Sequence, residues 1–287
     1  MKSPFIVTYS LTRRCNLKCK HCYSSAGGED EHELTVQRAR EVVRQVADAG
    51  SRIIVFDGGE PLMRDDIYEL IKLANTTGLT TVLGTNGTLI TPAVTKNLVE
   101  SGLHRCAVSI DGATAGTHEW IRGVKGCFGK AVRGAGLIRE AGIPLQINTC
   151  LNSHNQHELH DIIKLAESLN AVTLQLFLYV STGRRCPEVL PPTLNGELEN
   201  IKSNISLRII GTKNHKESRC CEAGDKVCCI LNDGTVYPCM LLPVPLGNVT
   251  QDCLKNIWAN SPAINRINEN RKIEGRELCR CPVQDAR

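Results

Sequence analysis

Arg14-Cys15-Asn16-Leu17-Lys18-Cys19-Lys20-His21-Cys22-Tyr23 follows directly on an apolar, strand-like run, Phe5 to Leu11. Its three cysteines have CxxxCxxC spacing, so a short loop can bring three thiolates to one metal centre. Three ligands are one fewer than a closed tetrahedral site takes, and an open coordination position is where metal chemistry takes place. The same residues admit a zinc site as an alternative. Cys19 and Cys22 form a CxxC, and His21 or a further cysteine would complete the tetrahedron.

Outward from this loop the chain repeats one unit as far as about residue 180. Short β-branched runs read as strands at Phe5–Leu11, Arg52–Phe56, Thr80–Leu83, Cys106–Ile110, Leu145–Cys150 and Thr173–Tyr179. Amphipathic stretches between them predict helices near Thr35–Ala49, Asp65–Thr77, Pro92–Ser101, Phe128–Ala141 and His157–Leu169. Thr91-Pro92 is a helix start, and Gly50, Gly78, Gly102 and Gly142 stand where helices should stop. This alternation predicts six β/α units around a parallel sheet, whose ligands belong at the C-terminal ends of the strands. Gly58-Gly59-Glu60-Pro61, Thr85-Asn86-Gly87, Ser109 with Asp111-Gly112, Asn148 with Asn152, and Ser181-Thr182-Gly183-Arg184-Arg185 all fall at such ends. Glycine, asparagine and serine populate turns anyway, but six coincident loops on one face predict a site.

Composition narrows the class. The 287 residues carry 34 basic and 30 acidic side chains, a net charge of +4 spread along the chain. No basic run with interleaved aromatics appears, which argues against a nucleic-acid partner. No apolar stretch approaches the roughly 20 residues of a membrane span. Met1-Lys2-Ser3-Pro4 leads straight into a strand without a secretory signal pattern, which places the protein in the cytoplasm. Fifteen cysteines in a reducing compartment point to metal rather than disulfides. Cys106, Cys127, Cys150, Cys186 and Cys253 lie in strand-like, helix-like or connecting stretches and are expected to have no site role.

From about residue 186 the rhythm changes. Residues 186–219 read as a linker, and 220–287 as a small second domain with its own cysteine framework. Asn232-Asp233-Gly234 signals a hairpin between Val227–Leu231 and Thr235–Tyr237. Val244–Val249 reads as extended, and Cys253–Trp258 as the start of a helix.

Cys15, Cys19 and Cys22 after the first strand, with Gly58-Gly59-Glu60-Pro61 after the second, resemble the radical S-adenosylmethionine (radical SAM) superfamily. The likeness continues through Thr85-Asn86-Gly87, Ser109-Ile110-Asp111-Gly112 and Arg122-Gly123, and covers essentially the whole chain. It implies a partial (β/α)6 barrel over residues 1–185. It also implies that Cys15, Cys19 and Cys22 hold three irons of a 4Fe–4S cluster, with SAM on the fourth. Gly58, Gly59 and Glu60 would then hold the methionyl amino group, while Ser109 and Arg122 match SAM-binding positions and Asp111 is a weaker candidate. The implied chemistry is reductive cleavage of SAM to a 5′-deoxyadenosyl radical that abstracts hydrogen from a substrate.

Cys221, Gly234 and Cys239 resemble the hairpin motif of SPASM and twitch domains, which bind auxiliary 4Fe–4S clusters. Cys279-x-Cys281 departs from the full SPASM pattern, so the resemblance implies one auxiliary cluster on Cys221, Cys239, Cys279 and Cys281 in a twitch-like domain, with Cys220, Cys228 or Cys229 as possible substitutes. Among relatives, Thr182-Gly183-Arg184 and the hairpin are most similar to enzymes modifying haem precursors, and next to ribosomal-peptide maturases. A tetrapyrrole side chain is thus the first expected substrate and a peptide the second, with Arg184 or Arg185 as partner for a pendant carboxylate. A flavodoxin or ferredoxin would supply electrons under anaerobic conditions. The rival reading is a non-catalytic iron–sulfur electron carrier or redox sensor, against which Gly58–Pro61 argues, since a carrier needs no SAM site.

Overall fold

The computed structural model describes residues 3–28, 31–194, 201–210 and 222–273. The six units are present in the expected order. Strands β1 (Ile6–Ser10), β2 (Ile53–Asp57), β3 (Thr80–Thr85), β4 (Arg105–Ser109), β5 (Leu145–Leu151) and β6 (Thr173–Leu178) pair in parallel, each with the next. Around them lie α1 (Val36–Asp48), α2 (Ile67–Thr76), α3 (Pro92–Glu100), α4 (Ala115–Arg122), α5 (Cys127–Glu140) and α6 (Leu159–Ser168). Thr35, Thr91 and Thr114 cap α1, α3 and α4 by accepting a backbone N–H with their hydroxyls.

On α1 the buried residues Ala39, Val42, Val43 and Val46 recur at helical spacing and face the sheet. Burying each valine contributes about 1.5–3 kcal/mol. Helix α4 is absent from the sequence expectation for a physical reason. Its buried face is Thr117, His118 and Ile121, so no apolar stripe announces it.

The sheet does not stop at six strands. Residues 206–210, inside the stretch read as a linker, form β7 (Ser206–Ile210), parallel to β6. The expected hairpin is present as β8 (Val227–Ile230) and β9 (Thr235–Tyr237), and β8 pairs in parallel with β1. β10 (Gly247–Asn248) completes one ten-stranded sheet, in the order β10-β9-β8-β1-β2-β3-β4-β5-β6-β7. Among the described residues β7 and β10 are the two edges of this sheet, so the barrel is partial. Helices α7 (Leu254–Asn260) and α8 (Pro262–Ile273) follow. Gln45 of α1 ties this C-terminal unit down, donating to Val249 O and accepting from Leu254 N, each at 3.0 Å. No helix among the described residues is long and apolar enough to cross a membrane.

Candidate active site

Because β1 to β6 run parallel, their C-terminal ends share one rim, and the cysteine loop leaves β1 on that rim. Its backbone is held from several sides. Gly59 N donates to Thr12 O at 2.7 Å, and Glu60 N to Arg14 O at 2.8 Å. Lys18 N and Lys20 N donate to Arg122 O and Ile121 O at 3.1 and 2.8 Å, which docks the loop on the end of α4. Asn86 Nδ2 reaches Asn16 Oδ1 at 2.8 Å. The approach is too close for side chains. A Cβ on Gly59 would stand 2.2 Å from Arg14 O, and one on Gly58 would stand 2.6 Å from Thr12 O.

Each of the three thiols receives an N–H. Leu17 N donates to Cys15 Sγ at 3.5 Å, Arg122 Nη1 to Cys19 Sγ at 3.8 Å, and Ala26 N to Cys22 Sγ at 3.3 Å. In the C-terminal unit, Leu241 N donates likewise to Cys239 Sγ at 3.4 Å. Cys106 and Cys228, buried in strands, receive no such donor among the described residues. N–H donors aimed at sulfur are what thiolates of iron–sulfur clusters accept. The donor set therefore fits a cluster at Cys15, Cys19 and Cys22. Burial pushes the Cys15 thiol up to about 11 and raises Cys19 as well. Cys127 packs beneath Leu17 and Cys19 as a small apolar residue, as expected.

Glu60 is fully buried. Its carboxylate accepts Thr85 Oγ1 and Asn86 N at 2.8 Å each, and Leu62 N at 3.2 Å. Three of about four acceptor sites are thus used to lock the second and third rim loops together. Burial, only partly offset by those bonds, raises its carboxyl to about 7.

Asp111 is also fully buried and does more than cap a turn. Its Oδ2 lies 2.6 Å from Arg122 Nε and 3.1 Å from His21 Nε2, and its Oδ1 accepts Cys150 N at 2.8 Å. Burial alone would raise this carboxyl, but the Arg122 guanidinium and His21 hold it well below the usual carboxylate range. Arg122 is thereby fixed with Nη1 on Cys19. Ser109 closes β4 at the same rim. Tyr23 Oη donates to Asp57 Oδ2 at 3.2 Å, on the barrel side of the cysteine loop. Sequence reasoning missed His21 and Tyr23 as partners of carboxylates. The only signal was an imidazole and a phenol inside the cysteine stretch.

Arg184 corrects an expectation. It is not free to meet a substrate carboxylate: Nη1 donates to Cys19 O at 2.9 Å, Nη2 to Ala26 O at 2.5 Å, and its backbone N to Cys22 O at 2.8 Å. The segment after β6 is a strap across the cysteine loop, joined further out by Lys20 to Glu188 at 2.7 Å. Gly183 makes the contact possible. Its φ is +60°, and a Cβ there would stand 2.1 Å from Tyr23 O. Gly183→Val is expected to lift the strap, with roughly 1–3 kcal/mol of backbone strain added to the clash. Cluster iron should then be lost to a chelator several times faster than from the parent, measured by absorbance decay. Arg185 is exposed.

Of the expected auxiliary ligands, Cys239 follows β9, whereas Cys221, Cys279 and Cys281 lie outside the described residues, as does Cys220. Cys228 turns into the apolar core, and Cys229 lies on the other face of β8, near enough to Cys239 and Asp57 to sense their charge.

Comparison with known proteins agrees with this geometry. Residues 9–166 match the model of the radical SAM superfamily, and residues 220–282 match the SPASM iron–sulfur cluster-binding domain. The AdoMet-dependent heme synthase of Nitratidesulfovibrio vulgaris is 34% identical, over 94% of this chain and 83% of that relative. The heme synthase of Methanosarcina barkeri is 33% identical, over 96% and 87%. A mycofactocin maturase from Mycobacterium ulcerans is 30% identical, over 94% and 78%. In fold, Streptococcus suis SuiB bound to S-adenosylmethionine superposes with a TM-score of 0.80 at 18% identity, over 94% of this chain and 69% of that one. The rim, its three donor-facing thiols and the C-terminal match have one reading: the chain belongs to the radical SAM superfamily, enzymes that use a 4Fe–4S cluster and SAM, and carries a SPASM-type iron–sulfur domain after the barrel.

Proposed function

We propose that this enzyme abstracts hydrogen from a carboxylate-bearing side chain of a tetrapyrrole. The observation that carries the reading is similarity over most of both chains to two heme synthases at 33–34% identity, against 30% for the peptide maturase. A pre-heme d1 synthase, 34% identical over 63% of this chain, points the same way. In this reading Cys15, Cys19 and Cys22 hold the cluster, which when bound supplies the electron that cleaves SAM. Glu60 keeps one acceptor site for the SAM ammonium, and Gly58 and Gly59 offer it backbone groups. Arg122, anchored by Asp111, faces the SAM carboxylate beside Ser109. Cys239, with Cys221, Cys279 and Cys281, holds an auxiliary cluster. A cytoplasmic, oxygen-free setting and a flavodoxin- or ferredoxin-type donor accompany the assignment.

The test is anaerobic reconstitution with dithionite, SAM and an iron-coproporphyrin. Formation of 5′-deoxyadenosine that rises with the porphyrin, and a mass loss on the porphyrin, support the reading. Stimulation by a peptide alone overturns the substrate class. Glu60→Gln places an amide where three donors need acceptors, so it should weaken SAM binding by about tenfold or more in equilibrium dialysis.

A further inference from the structure

Alternation along the strands divides their side chains between the helix-facing core and the barrel interior. The helix-facing residues Ile54, Phe56 and Leu83 are fully buried. On the opposite face Val55, Asp57, Val82, Asn148 and Gln175 remain partly exposed. Parallel strands covered on both faces show no such exposure. The barrel is therefore hollow along these strands.

Asp57 is the last residue of β2 and, with Phe56 turned into the core, points into this hollow. Its Oδ1 accepts Gly58 N at 2.8 Å, and its Oδ2 accepts Tyr23 Oη at 3.2 Å. Two of about four acceptor sites thus stay open. Other interior carboxylates face a guanidinium: Asp66 and Glu33 share Arg64, and Asp111 has Arg122. Asp57 has no ion-pair partner among the described residues. The wall beside it carries little bulk. A Cβ on Gly84 of β3 would stand 3.3 Å from Asp57 Cγ, and Ala107 is the residue paired with Gly84 on β4. Glycine inside a strand marks such a close approach.

A carboxylate inside the protein with open acceptor sites and no cation calls for a ligand that brings a donor. The tetrapyrrole reading limits what that donor is. In a metallated tetrapyrrole the ring nitrogens hold the metal, so the donor that remains is the O–H of a side-chain carboxyl. Two carboxyls in hydrogen-bond contact without a cation hold one proton between them, because both cannot be charged. We propose that Asp57 binds one substrate carboxyl in its acid form inside the barrel, sharing a single proton with it, while Tyr23 fixes the Asp57 carboxylate. The inference rests on the tetrapyrrole reading and deepens it by naming the side chain that reacts. Asp57 directly precedes Gly58 and Gly59, which in that reading offer backbone groups to SAM. The side chain held by Asp57 is therefore the one beside the SAM. Burial raises the Asp57 carboxyl, in keeping with a proton held at this place.

The test uses the reconstituted holoenzyme without dithionite, titrated with zinc coproporphyrin III or its tetramethyl ester at pH 6 and pH 8 and followed by porphyrin fluorescence. At pH 6 the parent should bind the free acid at least about tenfold more tightly than the ester. Most of that advantage should be gone at pH 8, since one shared proton allows up to about tenfold per pH unit. Asp57→Asn brings its own N–H and needs no proton. At pH 8 it should bind the free acid at least about tenfold more tightly than the parent, without the fall between the two pH values. Tyr23, Arg122, Glu60 and Cys229 also face Asp57, from the cysteine loop, α4, the second rim loop and β8. All four are kept in Asp57→Asn, so a fall that persists there belongs to them and overturns the proposal. Equal binding of acid and ester by the parent at pH 6 overturns it too. If the parent binds neither porphyrin yet converts SAM once reduced, the tetrapyrrole reading fails, and 3-phenylpropionate then decides the site by thermal shift. A rise in Tm that the parent loses between pH 6 and pH 8 and Asp57→Asn retains keeps a carboxyl site at Asp57. No Asp57-dependent shift overturns it.

Discussion

Cys19→Ala is expected to reduce 5′-deoxyadenosine formation to the level of cluster-free protein and to lower bound iron by about four per chain. Among the three thiols of the loop, Cys19 is the one that receives a charged donor, Arg122 Nη1 at 3.8 Å. It is also the most buried of the three. Leu17 and Cys127 are buried with it in one apolar cluster, against which Val124 packs. Cys127 packs with Cys19 and is the first thiol to be asked for rescue. It is 1% exposed at the start of α5 and held in the apolar cluster with Leu17. The double variant Cys19→Ala/Cys127→Ala should therefore match the single one. Residual turnover in Cys19→Ala that vanishes in the double variant would show that Cys127 can reach the iron. Full turnover in Cys19→Ala would remove the site altogether. Iron and sulfide assays alongside SAM turnover give both readings from one preparation.

Asp111→Asn should cost about 3–5 kcal/mol, because it leaves the Arg122 guanidinium buried and unanswered. The amide can still accept Cys150 N, so the loss measures charge rather than backbone pairing. The sign with pH follows from the depressed carboxyl. Its stabilisation is present above the ordinary carboxylate range near 4 and is lost only as pH falls through the lower value in the fold. The gap between parent and variant should be constant from pH 8 to pH 5 and close only in stronger acid, as followed by urea unfolding. Asp111→Asn/Arg122→Gln should recover part of the loss, since neither partner then stays charged and alone. A variant as stable as the parent at pH 7 would mean that Arg122 finds another counter-ion.

Much of the barrel was readable from the chain because parallel strands buried on both faces need β-branched runs, and these stand out at Ile53-Ile54-Val55 and Thr80-Thr81-Val82. The cysteine loop was legible for a related reason, since ligand spacing is a local property. Features that depend on distant partners were not. β7 is five residues long and exposes every second one, so it resembles a loop until β6 lies beside it. Helix α4 hides a histidine and a threonine rather than an apolar stripe. Asp111 reads as a turn residue because its partners, His21 of the cysteine loop and Arg122 at the end of α4, are remote from it in sequence. Arg184 reads in sequence as a cation open to a substrate carboxylate, and only the strap over Cys19 O shows it to be a clamp.

The pairing of β1 with β8 also governs the order in which the molecule can be made. Ile6 meets Val227, about 220 residues later in the chain. Until Val227 is made, one edge of Ile6-Val7-Thr8-Tyr9 stays without its neighbour, although the strand carrying the cysteine loop is made about 220 residues earlier. An unpaired, apolar strand edge is a template for association with other chains. Contacts this distant in sequence also form slowly, because loop closure must be met before they reward it. The nascent barrel is therefore most exposed to misassembly just before its C-terminal hairpin arrives, and that hairpin acts as the closing piece of the sheet as well as the carrier of Cys239.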